Sequence, residues 1–171
     1  NINDNFIFSP ALESLGKWCR QLMGESVGKD GQGITPTVSI GSIDLHSVAQ
    51  LYLGGPKDKI TTFISCENPN EDLKIPETML LPGLIGNLEN KSASTVMNAI
   101  LDGTKEAYKN KPLPFSEVIL SGQNEESIGE FMQFKMIEIM FLGKLMNVDA
   151  FNQPNVEDYK VITKKILNES K

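Results

Sequence analysis

Two rhythms of apolar residues run along the chain. Leu12, Leu15, Trp18, Cys19, Leu22 and Met23 recur every three or four positions, which predicts a helix from Ala11 to about Ser26. Pro10 suits its first residue and Ser9 its cap. The stretch Gly28 to Thr37 carries three glycines and a proline and reads as a loop. Val38 to Ile40 reads as a short strand. Asp44 to Leu53 is a second helix, closed by Gly54-Gly55-Pro56, and Lys59 to Ser65 is β-branched and aromatic, as strands are.

The long polar loop Cys66 to Pro76 is expected to cover part of a site. Beyond it, helical spacing returns from Ser92 to about Asn110, strand character at Glu117 to Leu120, and helices over Glu125–Met146 and Pro154–Leu167. Strands alternating with helices predict an α/β layer fold with a mainly parallel sheet flanked by helices. Residues 1–9 are expected to be an entry strand or linker, and 10–171 one subdomain.

The helix Glu125–Met146 is apolar almost all round, yet Glu126, Glu130, Lys135, Glu138 and Lys144 interrupt it too often for a bilayer span. It reads as a core helix that also meets a partner subunit. The formal charge of −6 over 171 residues argues against nucleic acid or an anionic membrane as partner. Two lone cysteines give neither a disulfide framework nor a C-x-x-C motif, and no secretory signal is evident, so a cytoplasmic protein is expected. A single histidine means that any histidine chemistry belongs to His46.

Gly24 to Asp30 superficially resembles a phosphate-binding glycine loop. Its glycines are separated by three residues instead of four, it follows a helix, and Asp30 stands where Ser or Thr would hold magnesium, so nucleotide binding there is rejected. The same segment puts Gln21 and Glu25 on one helix face. A carboxylate at a helix–glycine junction approaches a ligand closely and acts as a base, although such a residue is more often a solvated surface group. His46 stands early in a predicted helix that Asp44 would cap, where a neutral imidazole is favoured; the plainer alternative is a histidine satisfying a buried turn. Cys66 has no nearby base in sequence and reads as a buried or idle thiol. Between the last two helices, Asn152 is expected to cap, Gln153 to point outward, and Lys160 to face the same way two turns on.

Three motifs carry a family resemblance. Gln21-x-x-x-Glu25-Ser26-x-Gly28-Lys29 is similar to the glutamate-serine-x-glycine-lysine signature of glucose-6-phosphate isomerases. Asp44-Leu45-His46-Ser47-x-x-Gln50 resembles the histidine segment of the bacterial enzymes. The run Gly143 to Lys160, which includes Phe151-Asn152-Gln153-Pro154-Asn155-Val156-Glu157-Asp158-Tyr159-Lys160, is similar to the family's C-terminal signature nearly throughout. The one departure is Asn155, where the family has glycine; asparagine tolerates a left-handed conformation.

The resemblance implies an enzyme that interconverts glucose 6-phosphate and fructose 6-phosphate in glycolysis and gluconeogenesis, with no metal and no redox cofactor. It implies Glu25 as the base that moves a proton between C1 and C2 through an enediolate. It implies His46 and Lys160 as ring-opening groups, and Gln21 and Gln153 as phosphate-side contacts. In the family the histidine crosses a homodimer interface. The implied fold is the second sugar-isomerase (SIS) subdomain, a three-layer parallel sheet with helices. The first SIS subdomain, with its Ser/Thr phosphate cradle, and the glycine-glycine-arginine segment have no counterpart in this chain. A C-terminal part of a longer enzyme, inactive alone, is therefore expected. A non-catalytic sugar-phosphate-binding module on the same scaffold is the alternative.

Overall fold

A computed structural model of the protein describes residues 1–67, 72–77 and 88–169; part of the Cys66–Pro76 loop, residues 68–71, lies outside them. In chain order the elements are β1 (Ile2–Ile7), a 3-10 turn (Pro10–Leu12), α1 (Glu13–Val27), β2 (Thr35–Ile40), α2 (Ile43–Gly54), β3 (Lys59–Cys66), α3 (Ala93–Asn110), β4 (Phe115–Leu120), α4 (Glu125–Met146) and α5 (Pro154–Glu169). All strand pairs are parallel, in the order β2-β1-β3-β4, with Ile2 opposite both Thr35 and Lys59, and Thr61 opposite Phe115.

Of the two readings of segment 1–9, entry strand or linker, the structure takes the strand and places it at the centre of the sheet. Ile2–Ile7 is bonded on both sides, and its Asp4 and Asn5 are fully buried. Polar letters disguise it. Asp4 is accommodated because Thr37 donates to its carboxylate at 2.5 Å and Ser39 at 3.1 Å, both from the neighbouring strand.

Alternation along the inner strands sorts the core into two faces. Ile7 and Ile64 face α1 and α4, where Leu12, Leu15, Cys19, Leu120 and Phe131 close around them. Phe6, Phe8 and Phe63 face α2 and α3 and meet Tyr52, Leu101 and Tyr108. Phe63 sits at the centre of that aromatic cluster, 5.2 Å from the Tyr108 ring and 5.5 Å from Phe115. The result is a helix–sheet–helix sandwich.

Two caps differ from expectation. Ser9 stands at the cap position before Pro10, but its hydroxyl makes no cap bond and accepts instead from Gln123. Asp44 does not cap α2; its carboxylate accepts the Ile40 N–H at 2.7 Å and the Ser47 hydroxyl at 2.9 Å, which fixes the β2–α2 turn.

α4 covers the predicted span, Glu125–Met146, and Asn124 caps it by accepting from the Ser127 N–H. It buries one stripe at i+4 spacing: Ser127, Phe131, Lys135, Ile139 and Gly143. Phe134, Ile137, Met140, Phe141 and Leu145 stay exposed. No helix of the described residues is long and apolar enough to cross a membrane.

Candidate functional site

α1 ends against the far end of α4. Met23, Val27 and Ile139 form a buried cluster there, extended by Leu142, Met146 and Val148. This contact brings the α1 C-terminus beside the α4–α5 junction, although more than a hundred residues separate them in sequence.

Local chemistry then turns the junction back toward α1. Asn147 adopts a left-handed conformation, φ 56°, which asparagine tolerates better than most residues. Its N–H donates to the Lys144 carbonyl at 3.2 Å and the Val148 N–H to the Gly143 carbonyl at 2.9 Å, the paired bonds of a Schellman ending. A side chain at Gly143 would meet the Ala150 methyl at 3.0 Å, so glycine lets the returning chain lie close on the helix. Asp149 shapes the next turn, accepting from the Phe151 N–H at 2.9 Å and the Asn152 amide at 2.7 Å. Asn152 is thus held by Asp149 instead of capping α5.

Gln153 consequently points at Glu25. Its amide donates to Oε2 of Glu25 at 3.0 Å, while the Gln21 amide, one helical turn back on α1, donates to Oε1 at 3.0 Å. The half-buried carboxylate is held at both oxygens by neutral donors. Three of the residues singled out from sequence therefore meet at one point. Lys160 lies near by but bonds Glu157 at 2.7 Å; that bond holds its ammonium above the usual lysine pKa, with a lesser contribution from Glu25. Asn155, expected to tolerate a left-handed turn, is an ordinary residue of the first turn of α5.

His46 is not in this cluster. It lies in the first turn and a half of α2, which begins where β2 ends and packs on the opposite face of the sheet from α1. α1 runs back along its strand for about 20 Å of helix, so Glu25 sits at the edge where the strands begin. The imidazole is exposed, which excludes the buried-turn alternative, and among the described residues it has no hydrogen-bond partner.

Lys29 closes the glutamate-serine-x-glycine-lysine run, and its place in the sequence points to no task for it. Its side chain is buried, 5% exposed, and Nζ donates to the Ser26 carbonyl at 2.9 Å and to the Asp149 carbonyl. A lysine just past a helix of apolar spacing looks like a solvated charge; only the packing of α4 against α1 turns it inward.

A cleft of about 480 Å³ opens at the other sheet edge, between the ends of β1 and β3, and is lined by Ser9, Ser65, Cys66, Ser94, Asn98 and Gln123 among others. It contains none of the residues to which the sequence gives a catalytic or substrate-binding role, whereas the Glu25 cluster stands open on the surface. Cys19, by contrast, is sealed in the core, where burial pushes its thiol up to about 11.

No family model matches the chain. Among curated proteins it is 37% identical over 153 residues to a glucose-6-phosphate isomerase of Lactobacillus helveticus, covering 90% of this chain and 34% of that protein. A glucose-6-phosphate isomerase of Methanocaldococcus jannaschii is 33% identical over 159 residues, covering 93% and 39%. Among solved structures, the hypothetical protein TT0462 of Thermus thermophilus superposes with a TM-score of 0.89 at 33% identity, over 97% of this chain and 41% of that one. A glucose-6-phosphate isomerase of Chlamydia trachomatis gives a TM-score of 0.81 at 18% identity, over 98% and 34%, and speaks for the fold alone. This chain thus spans between 34% and 39% of the length of these curated relatives.

Proposed function

The chain is homologous to the glucose-6-phosphate isomerases over about nine-tenths of its own length and a third of theirs, and from that premise we propose that it forms the C-terminal SIS subdomain of such an enzyme and carries its base, Glu25. The observation that supports this reading is the convergence of Gln21 and Gln153 on the two oxygens of Glu25, each at 3.0 Å.

In the reaction, the Glu25 carboxylate takes the proton from C2 of open-chain glucose 6-phosphate. The C–H electron pair becomes the C1–C2 double bond of an enediolate, and negative charge develops on O1. Returning that proton to C1, while the O2 hydroxyl proton passes to O1 and C2 becomes the carbonyl, yields fructose 6-phosphate. The reaction is redox-neutral and moves two protons, one carried from C2 to C1 by the Glu25 carboxylate and one passed from O2 to O1. Gln21 and Gln153 keep that carboxylate aimed and offer amide donors on the phosphate side of a sugar lying over it. A positioned base contributes on the order of 10²–10⁴-fold to the rate, the rest coming from orientation and electrostatics.

Lys160 and His46 serve ring opening. The exposure of His46 at the sheet edge remote from Glu25 supports its delivery to the site of a second subunit in a homodimer. The open setting of the Glu25 cluster supports a site completed by the rest of the enzyme, which brings the phosphate cradle and the arginine that stabilises the enediolate. On this reading the isolated chain is inactive, and the parent enzyme works in the cytoplasm, in glycolysis and gluconeogenesis.

The test is Glu25→Gln in the full-length enzyme that carries this segment. Isomerisation of fructose 6-phosphate is lost while sugar-phosphate binding persists. Unchanged turnover refutes the assigned base and favours a binding module instead. Conversion by the isolated chain at near-enzyme rates refutes its inactivity.

A further inference from the structure

We propose that Lys29 is a positioning residue for the reaction: buried between α1 and the α4–α5 junction, it sets the distance at which Gln153 meets Glu25. The inference rests on the reading of Glu25 as base.

Two bridges join the same two segments. Lys29 lies four residues after Glu25, and Asp149, whose carbonyl accepts from Lys29, lies four before Gln153. The Glu25–Gln153 bond is at the surface, and alone it cannot hold a loop in place against water. The Lys29–Asp149 bond is part-buried, its donor coming from a lysine only 5% exposed. The Lys29 backbone is held to Gln32, its N–H donating to the Gln32 carbonyl at 3.1 Å and its carbonyl accepting the Gln32 N–H at 2.7 Å. Its Nζ also satisfies the Ser26 carbonyl, one of the orphan acceptors at the end of α1. So one end of α1, the base-bearing turn and the junction that carries Gln153 are pinned to a single nitrogen. Asp149 passes the constraint on, because its carboxylate fixes the Phe151 N–H and the Asn152 amide immediately before Gln153.

Removing the pin leaves two carbonyls to find water, and the junction moves outward to reach it. A displacement of about 1 Å at a catalytic group costs up to 10²-fold in rate.

The experiment is a double-mutant cycle in the full-length enzyme, with Lys29→Met and Gln153→Ala, read as kcat/KM for fructose 6-phosphate, each protein being checked for its melting transition. Lys29→Met alone lowers kcat/KM by roughly tenfold to a hundredfold. In the Gln153→Ala background the same change costs less than about threefold, because the contact it positions is already gone. A merely structural lysine gives equal losses in both backgrounds, and that result, or no loss in either, overturns the inference. If Lys29→Met does not fold, the cycle is read with Lys29→Gln, whose shorter amide keeps a donor, and the same non-additivity is required. An additive cycle in an enzyme that Glu25→Gln inactivates sinks the role of Lys29 alone; persistent activity of Glu25→Gln sinks the base assignment on which it rests.

Discussion

Glu25 and Gln153, 128 residues apart in the chain, meet side chain to side chain at 3.0 Å. Neither residue determines this meeting. It follows from the apolar contact of Met23, Val27 and Ile139, the left-handed Asn147 and the Asx turn at Asp149.

Gly143 is the narrowest point of that path. A methyl group there meets the Ala150 methyl at 3.0 Å and the Val148 carbonyl at 3.4 Å, so the junction must lift by a few tenths of an ångström. Alanine in the helix itself gains about 1 kcal/mol over glycine, which offsets much of the packing cost. Gly143→Ala is therefore expected to change the melting temperature little while lengthening the Glu25–Gln153 contact. A crystal structure of the variant with that contact still at 3.0 Å would refute the packing argument.

Asp4 makes stability depend on pH in a direction opposite to that of a salt-bridged carboxylate. Burial raises its pKa above the ordinary value, opposed by the hydroxyls of Thr37 and Ser39 and, to a smaller degree, by Tyr52. An acid whose folded pKa is raised gives its full stabilisation below the unfolded pKa and loses it as pH rises through the folded one. Asp4→Asn keeps the acceptor for Thr37 and Ser39 and removes the ionisation. Its stability relative to the unaltered protein should increase from about pH 4 to about pH 7 in thermal melts. A constant difference across that range would rule the account out.

Cys19 should be chemically silent in the folded protein. With its thiol pushed up to about 11 by burial, the neighbouring Lys135 being too weak to reverse it, only about one molecule in a thousand is thiolate at pH 8. Alkylation mapped by mass spectrometry should spare Cys19 until the protein is unfolded. Rapid modification of Cys19 under native conditions would contradict the buried placement.

Much of this is legible in the chain. The spacing of Leu12 to Met23 and the β-branched run at Lys59 to Ser65 announce a helix and a strand because helical and extended backbones repeat at 3.6 and 2 residues. The apolar spacing gives the span Glu125–Met146, and the structure ends it at the same residues, with Asn124 capping one end and the left-handed Asn147 the other. Separation alone places Gln21 and Glu25 on one face. β1 is hidden, because Asn3, Asp4 and Asn5 are polar, and what lets Asp4 into a sheet interior is a pair of hydroxyls on another strand.

The sequence by itself determined the alternation of strands and helices, the family the chain resembles and the residues proposed to bear chemistry, all of which are set by local spacing and local motif. Only the tertiary structure decided which of those residues meet. It closed Gln153 onto Glu25, turned Lys29 inward, and left His46 at the remote edge of the sheet. The physical reason is that such meetings depend on how two helices pack and where a chain reverses, and neither is encoded within reach of any one segment.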